Sequence, residues 1–315
     1  MAVGRASTTC ATVIVMRVVS LLPSATEIAF AIGVGDDVVG VTFECDYPPD
    51  PRAGRSVVVA GLDTHGLGAD EIDALVREKV AAGEDMYVLD SARFRSLAPD
   101  VVLTQDLCRV CALPSGRVED VMSALGCSAE VVTLDPHTLS DIFDCIRAVG
   151  RATGATPAAN ALVESLRARL DDVAEATATS LASGPRPRVF VLEWPDPPFV
   201  AGHWVPELVQ AAGGEAVLAR SGERSVPTTW EQIGRADPDV IVVSSCGFDT
   251  AGNAAHAAQV MKRLPSRAAV WAIDANGLMV RPGPRVVDGV ETLAAIFHGI
   301  GPIPFGAAIQ VRPAS

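Results

Sequence analysis

One stretch of this chain constrains its architecture more than any other. From Pro157 to about Leu181 the sequence is rich in Ala, Leu, Glu and Arg, and Leu162, Leu166, Leu170 and Val173 recur at i, i+4, i+8 and i+11. That spacing lays one apolar stripe along a helix. Pro157 suits a first helical turn, where its missing N–H costs nothing. A helix of about 25 residues spans roughly 37 Å, long enough to bridge two lobes. The breaker cluster SGPRP at 183–187 ends it.

On both sides of this strut the chain alternates helix and strand. Residues 17–22 read as a strand ended by Pro23, and SATE at 24–27 has the spacing of a capping box. A helix over 25–32 then stops at Gly33 and Gly35, and 37–42 is the next strand. Helices over 91–97 and 117–125 alternate with strands at 101–104 and 130–134, which predicts a largely parallel sheet covered by helices. After a helix at 139–149 and the strut, strands at 188–192, 239–243 and 269–273 alternate with helices at 206–212, 230–236 and 286–298. RSLAPDVVL at 95–103 echoes GRADPDVIV at 234–242: helix, Pro-Asp, apolar strand. The fold expected is α/β, with two Rossmann-like lobes, each a mostly parallel sheet with flanking helices, joined by one long backbone helix. The divisions are an extension at 1–15, a first lobe at 16–136, linking helices at 137–184 and a second lobe at 185–315.

Charge and composition remove several functions. A net charge of -13 repels phosphate backbones and offers no basic patch, so nucleic acid is excluded as a partner. No run of 18 apolar residues occurs, so no direct membrane insertion is expected. Residues 11–16 are apolar but too short for an export signal and are interrupted by Arg17; the expected location is cytoplasmic, or periplasmic or extracellular if the start is misassigned. No Walker loop, HExxH or GxSxG occurs, and no enzyme is expected.

Residues 17 to about 300 resemble the cobalamin-binding members of the helical-backbone periplasmic binding proteins, the receptors of ABC importers. The resemblance is carried by SLLPSATE (20–27), GVTFECDYPP (40–49), LAPDVVL (97–103), PFVAG (198–202) and WEQI (230–233), in order and at matching spacing. QDLCRVC (105–111), GHWVP (202–206) and CGF (246–248) are similar to a subgroup without an export signal. The resemblance implies two lobes on a rigid helix, a corrinoid ligand in the cleft and an ABC transporter membrane subunit as partner. It also implies one docking Glu per lobe. Glu231 matches in the second lobe, whereas the first-lobe position holds Ala92.

Open α/β sheets bind ligands beyond the carboxyl ends of their strands. A corrinoid is a broad, largely apolar ring with amide arms, suited to aromatic walls and a few polar partners. The expected ligand contacts are therefore Ser24, Glu44, Tyr47, Trp194, Phe199, His203, Trp204 and Phe248. Each aromatic could equally pack its own lobe, and Glu44 and Asp46 could be solvated loop charges. Cys45, Cys108, Cys111 and Cys246 fall on the same loops and with His203 could hold a soft metal ion or ligate cobalt; otherwise they are small buried thiols. The alternative function is thus a cytosolic thiol or metal-binding protein, or enzyme, on the same fold. Arg281 and Arg285 could reach a ligand or decorate a rigid RPGPR turn.

Overall fold

The Pro-Asp echo is the seam on which both halves are built. In the computed structural model, residues 16–62, 67–84, 86–106, 116, 118, 120, 122, 123 and 128–312 are described. In the first half the Arg17 amide donates to Asp100 Oδ2 at 2.8 Å, and the Asp100 amide returns to Arg17 O at 2.8 Å. In the second half the Arg188 amide donates to Asp239 Oδ2 at 2.9 Å, and the Asp239 amide returns to Arg188 O at 2.8 Å. Just before each proline, Ala98 (φ 43°) and Asp237 (φ 48°) take left-handed backbone, turning a helix end into the next strand. Two distant segments with one pattern fold into one local structure.

In the first half the chain forms β1 (Val18–Ser20), α1 (Pro23–Ala31), β2 (Val38–Thr42), β3 (Ser56–Gly61), α2 (Ala69–Ala82), β4 (Tyr87–Leu89), α3 (Ser91–Ser96), β5 (Val101–Thr104) and β6 (Glu130–Thr133). Among the described residues the sheet order is β4-β3-β2-β1-β5-β6, with only β3–β4 antiparallel. The order reverses beside β1, which places a crevice at the carboxyl ends of β1 and its neighbours. Asp90 caps α3 through its side chain, bonding the Arg93 amide. The box expected at 24–27 does not form. Pro23 already occupies the first helical turn and Leu22 makes no side-chain cap, which leaves Glu27 free to act elsewhere.

Two antiparallel helices follow, α4 (Leu139–Ala152) and α5 (Thr156–Ser183). Thr138 and Asp141 form a capping box on α4. The 28 residues of α5 make a strut of about 42 Å. Arg169, midway along it, bonds Glu291 Oε1 at 2.8 Å and also reaches Asp288, tying the strut to the last helix.

The second half contains β7 (Arg188–Pro195), β8 (Pro198–Val200), α6 (Val205–Ala211), β9 (Glu215–Ala216), β10 (Val226–Pro227), α7 (Trp230–Ala236), β11 (Val240–Val243), α8 (Thr250–Val260), β12 (Ala269–Ile273), α9 (Ala275–Leu278), α10 (Val286–His298) and β13 (Ala308–Val311). Its sheet runs β10-β8-β7-β11-β12-β13, with β9 also on β7. β7, β11 and β12 are mutually parallel. Past residue 192, where the expected strand ends, the chain continues into a β7–β8 hairpin in which Trp194 pairs with Phe199.

Among the described residues the apolar interior falls into three groups. One lies on the outer face of the first sheet, around Phe94, and one on the outer face of the second, around Phe190 and Ile241. The third is continuous across the molecule. It runs from Val18 and Ile28 through Ile146 and Val163 on the linking helices to Val191, Leu208 and Val290. The linking helices therefore contribute one buried face to an interior shared by both halves.

Candidate functional site

The loops after the strand ends of the two sheets meet through two arginines. The turn between α9 and α10 carries Arg281 and Arg285 back to the first half. Arg285 grips Glu27 with two bonds, Nε to Oε2 at 2.9 Å and Nη2 to Oε1 at 2.6 Å. Its guanidinium also lies 3.9 Å from the centroid of the Tyr47 ring. Arg281 bonds both carboxylate oxygens of Asp46, Nη2 to Oδ2 at 3.1 Å and Nη1 to Oδ1, and stands 3.6 Å from Glu27 Oε1. The arginines thus neither decorate their own turn nor stand free. They bridge the halves.

Burial sets the electrostatics here. The side chain of Glu27 is only 3% exposed. Desolvation pushes its pKa up, and Arg285 and Arg281 pull it back only in part. Glu44 is raised for the same first reason, with Arg281 and a 3.4 Å bond from the Tyr87 hydroxyl opposing. Burial also works against the charge on both arginines. The bonds and charges of Asp46 and Glu27 outweigh it, so Arg281 and Arg285 stay above their ordinary values.

On the second half, the strand ends build an aromatic wall. The half-buried rings of Trp194 and Phe248 lie 5.9 Å apart, and His256 from α8 packs 4.4 Å from Phe248. His256 Nδ1 meets the Ser245 hydroxyl at 2.9 Å. Fully buried Asn253 accepts from the Ser245 amide at 2.6 Å and donates to Phe248 O and Ile273 O, fixing the loop that presents Phe248. Trp194 Nε1 and Ser244 Oγ are buried polar atoms without a partner among the described residues. Such atoms are costly in an interior.

The other expected residues divide. Ser24 is buried at the start of α1, and Phe199 is half-buried opposite Trp194 on β8. His203 adopts left-handed backbone (φ 53°), held by its amide to Glu223 O at 2.5 Å. Its ring lies 6.0 Å from His137, just ahead of α4, and its Nε2 is buried without a partner among the described residues. Burial, with His137 and Arg224 nearby, lowers its pKa. Trp204 departs from expectation. It is 4% exposed and its indole N–H donates to Met279 O at 2.7 Å, so it packs as core. Glu231 stands exposed on α7, paired with Arg235 one turn on.

Of the four expected thiols, Cys45 and Cys246 lie among the described residues. Cys45 is 1% exposed and lies 3.1 Å from Thr26 Oγ1 and 3.3 Å from Thr42 Oγ1, with burial raising its pKa. Cys246 is exposed on the other half. Cys108 and Cys111 lie outside the described residues. Among the described residues no group of three or more His, Cys, Asp or Glu side chains could hold a metal ion. Sequence reasoning missed Glu27, Asn253 and His256. Glu27 was read as a cap, and α8, which carries the other two, was not read at all.

Comparison with known proteins supplies the family. The model for periplasmic binding proteins matches residues 18–277. The vitamin B12-binding protein of Vibrio cholerae is 28% identical over 278 residues, covering 87% of this chain and 86% of its own. An uncharacterized ABC transporter substrate-binding lipoprotein of Bacillus subtilis is 28% identical over 290 residues, covering 88% and 78%. Among solved structures, the periplasmic vitamin B12 binding protein of Vibrio cholerae superposes with a TM-score of 0.59 at 25% identity, covering 89% of this chain and 96% of that one. A periplasmic heme binding protein of Pseudomonas aeruginosa gives 0.69 at 21%, covering 95% and 99%, a likeness of fold. The expected cytoplasmic location runs against a family described as periplasmic. Among the described residues no helix is long and apolar enough to cross a membrane. With two α/β lobes on a helical strut, and a family match over most of its length, the chain belongs to the periplasmic binding protein family.

Proposed function

We propose that this protein binds a corrinoid of the cobalamin type between its lobes and serves an ABC importer as its substrate-binding component. The observation that carries the reading is the wall of Trp194 and Phe248, with the unpartnered Trp194 N–H and Ser244 hydroxyl at the ends of adjacent strands. Such a wall offers a flat apolar surface to a macrocycle and hydrogen-bonding atoms to its amide arms. Tyr47, 42% exposed and steadied by Arg285, supplies an aromatic ring from the other lobe. The vitamin B12-binding relatives, matched over most of both chains, point the same way. Ser24, Glu44, Phe199 and His203 line the same strand ends, and the reading assigns no catalytic step to any of them. Glu231, exposed on the second lobe, is the docking residue for the membrane subunit.

Calorimetry with cyanocobalamin tests the reading. Binding in the micromolar range or tighter is expected, and no heat at about 0.1 mM ligand would overturn it. Trp194→Ala should weaken binding by at least about tenfold, since it removes both a stacking face and a donor. Glu231→Lys should leave that heat unchanged while abolishing stimulation of the partner transporter's ATPase.

A further inference from the structure

The charges where the strand-end loops of the two lobes meet bear on which macrocycle can bind between them. Two guanidiniums and three carboxylates, Glu27, Glu44 and Asp46, share this edge. Both guanidiniums are committed, Arg285 to Glu27 and Arg281 to Asp46. Each pair joins one lobe to the other.

Building on the corrinoid reading, we propose that the Glu27–Arg285 and Asp46–Arg281 pairs form an interlobe charge clamp that admits a macrocycle with uncharged amide arms and turns away one with free carboxylate arms. A carboxylate arm entering here needs a cation. Taking Arg285 would strip the buried Glu27 of both its hydrogen bonds and leave it only Arg281, 3.6 Å away, a costly state for a charge removed from water. Taking Arg281 would expose the arm to Asp46 and Glu44 at close range, and like charges set side by side suppress the wrong partner. An amide arm asks only for neutral hydrogen bonds, which Trp194 and Ser244 can make. His203 adds no cation at neutral pH, because burial favours its uncharged ring. Specificity then comes from a repulsive element as much as from the aromatic wall.

The test compares cobinamide, whose arms are amides, with cobyrinic acid, the related corrinoid whose arms are carboxylates, both as dicyano forms titrated into the full chain. The unaltered protein should prefer cobinamide by at least about tenfold. Asp46→Asn, at a half-exposed loop position, frees Arg281 and should shrink that preference at least about fivefold. Arg281→Gln leaves the carboxylates less balanced and should widen it. Equal affinity for the two corrinoids in the unaltered protein, or an unchanged ratio in both variants, overturns the clamp while leaving the corrinoid reading intact. Binding of neither overturns the corrinoid reading, and the clamp with it.

Discussion

At the scale of single residues, the buried Glu27–Arg285 pair makes a prediction with a definite sign. Desolvation already holds Glu27 above the ordinary carboxylate range. A carboxyl whose folded pKa is raised contributes its stability in full below the unfolded pKa and loses it as pH rises through the folded one. Arg285→Met removes the strongest counterweight and raises Glu27 further. The variant should therefore lose about 3 kcal/mol near pH 7, the cost of a buried charge stripped of its partner. That loss should shrink toward about pH 5, where a neutral carboxyl needs no cation. Urea unfolding at the two pH values checks it, and a loss that is equal at both contradicts the argument. The pair was not legible in the sequence. Its members lie 258 positions apart, and no local spacing rule reaches so far. Glu27 also sat three places after a serine, which looks like a helix cap until Pro23 is seen to open the helix.

At the scale of elements, legibility tracked the contrast between faces. The strut α5 could be read because its leucines fall on one stripe, and Leu166 is indeed 3% exposed whereas neighbouring Glu164 faces solvent. Leu166→Ala should cost about 3 kcal/mol by loss of buried area and a residual cavity. Glu164→Ala should stay within about 0.5 kcal/mol. Chemical denaturation of the two variants side by side measures the difference. By contrast α8, TAGNAAHAAQV, carries five alanines in eleven residues and shows little polarity difference around its axis, so periodicity has nothing to detect. Yet it carries Asn253 and His256, which hold up the aromatic wall. The Pro-Asp seams could be read twice because each packs several constraints into a few adjacent residues: a left-handed turn, a rigid ring and a carboxylate acceptor. The β7–β8 hairpin was hidden by its prolines, which suggest a loop but here sit within paired strands.

At the scale of the whole molecule, the interior that passes through α4 and α5 decides how the halves can behave. Hinge closure requires two bodies to rotate without tearing apolar contacts, and here the contacts continue through the junction. The radius of gyration should accordingly change by less than about 1 Å when cyanocobalamin is added, as read by small-angle scattering; a large contraction would show that the junction gives. The same feature governs how the protein comes apart. A chain whose two sheets lean on one common layer has no clean line along which to divide. Melting one end strips support from the other, so heating should give a single cooperative endotherm. Two resolved ones would mean that the halves are thermodynamic strangers. A fragment cut after the strut would inherit an oily helix with nothing to lean on, and should precipitate.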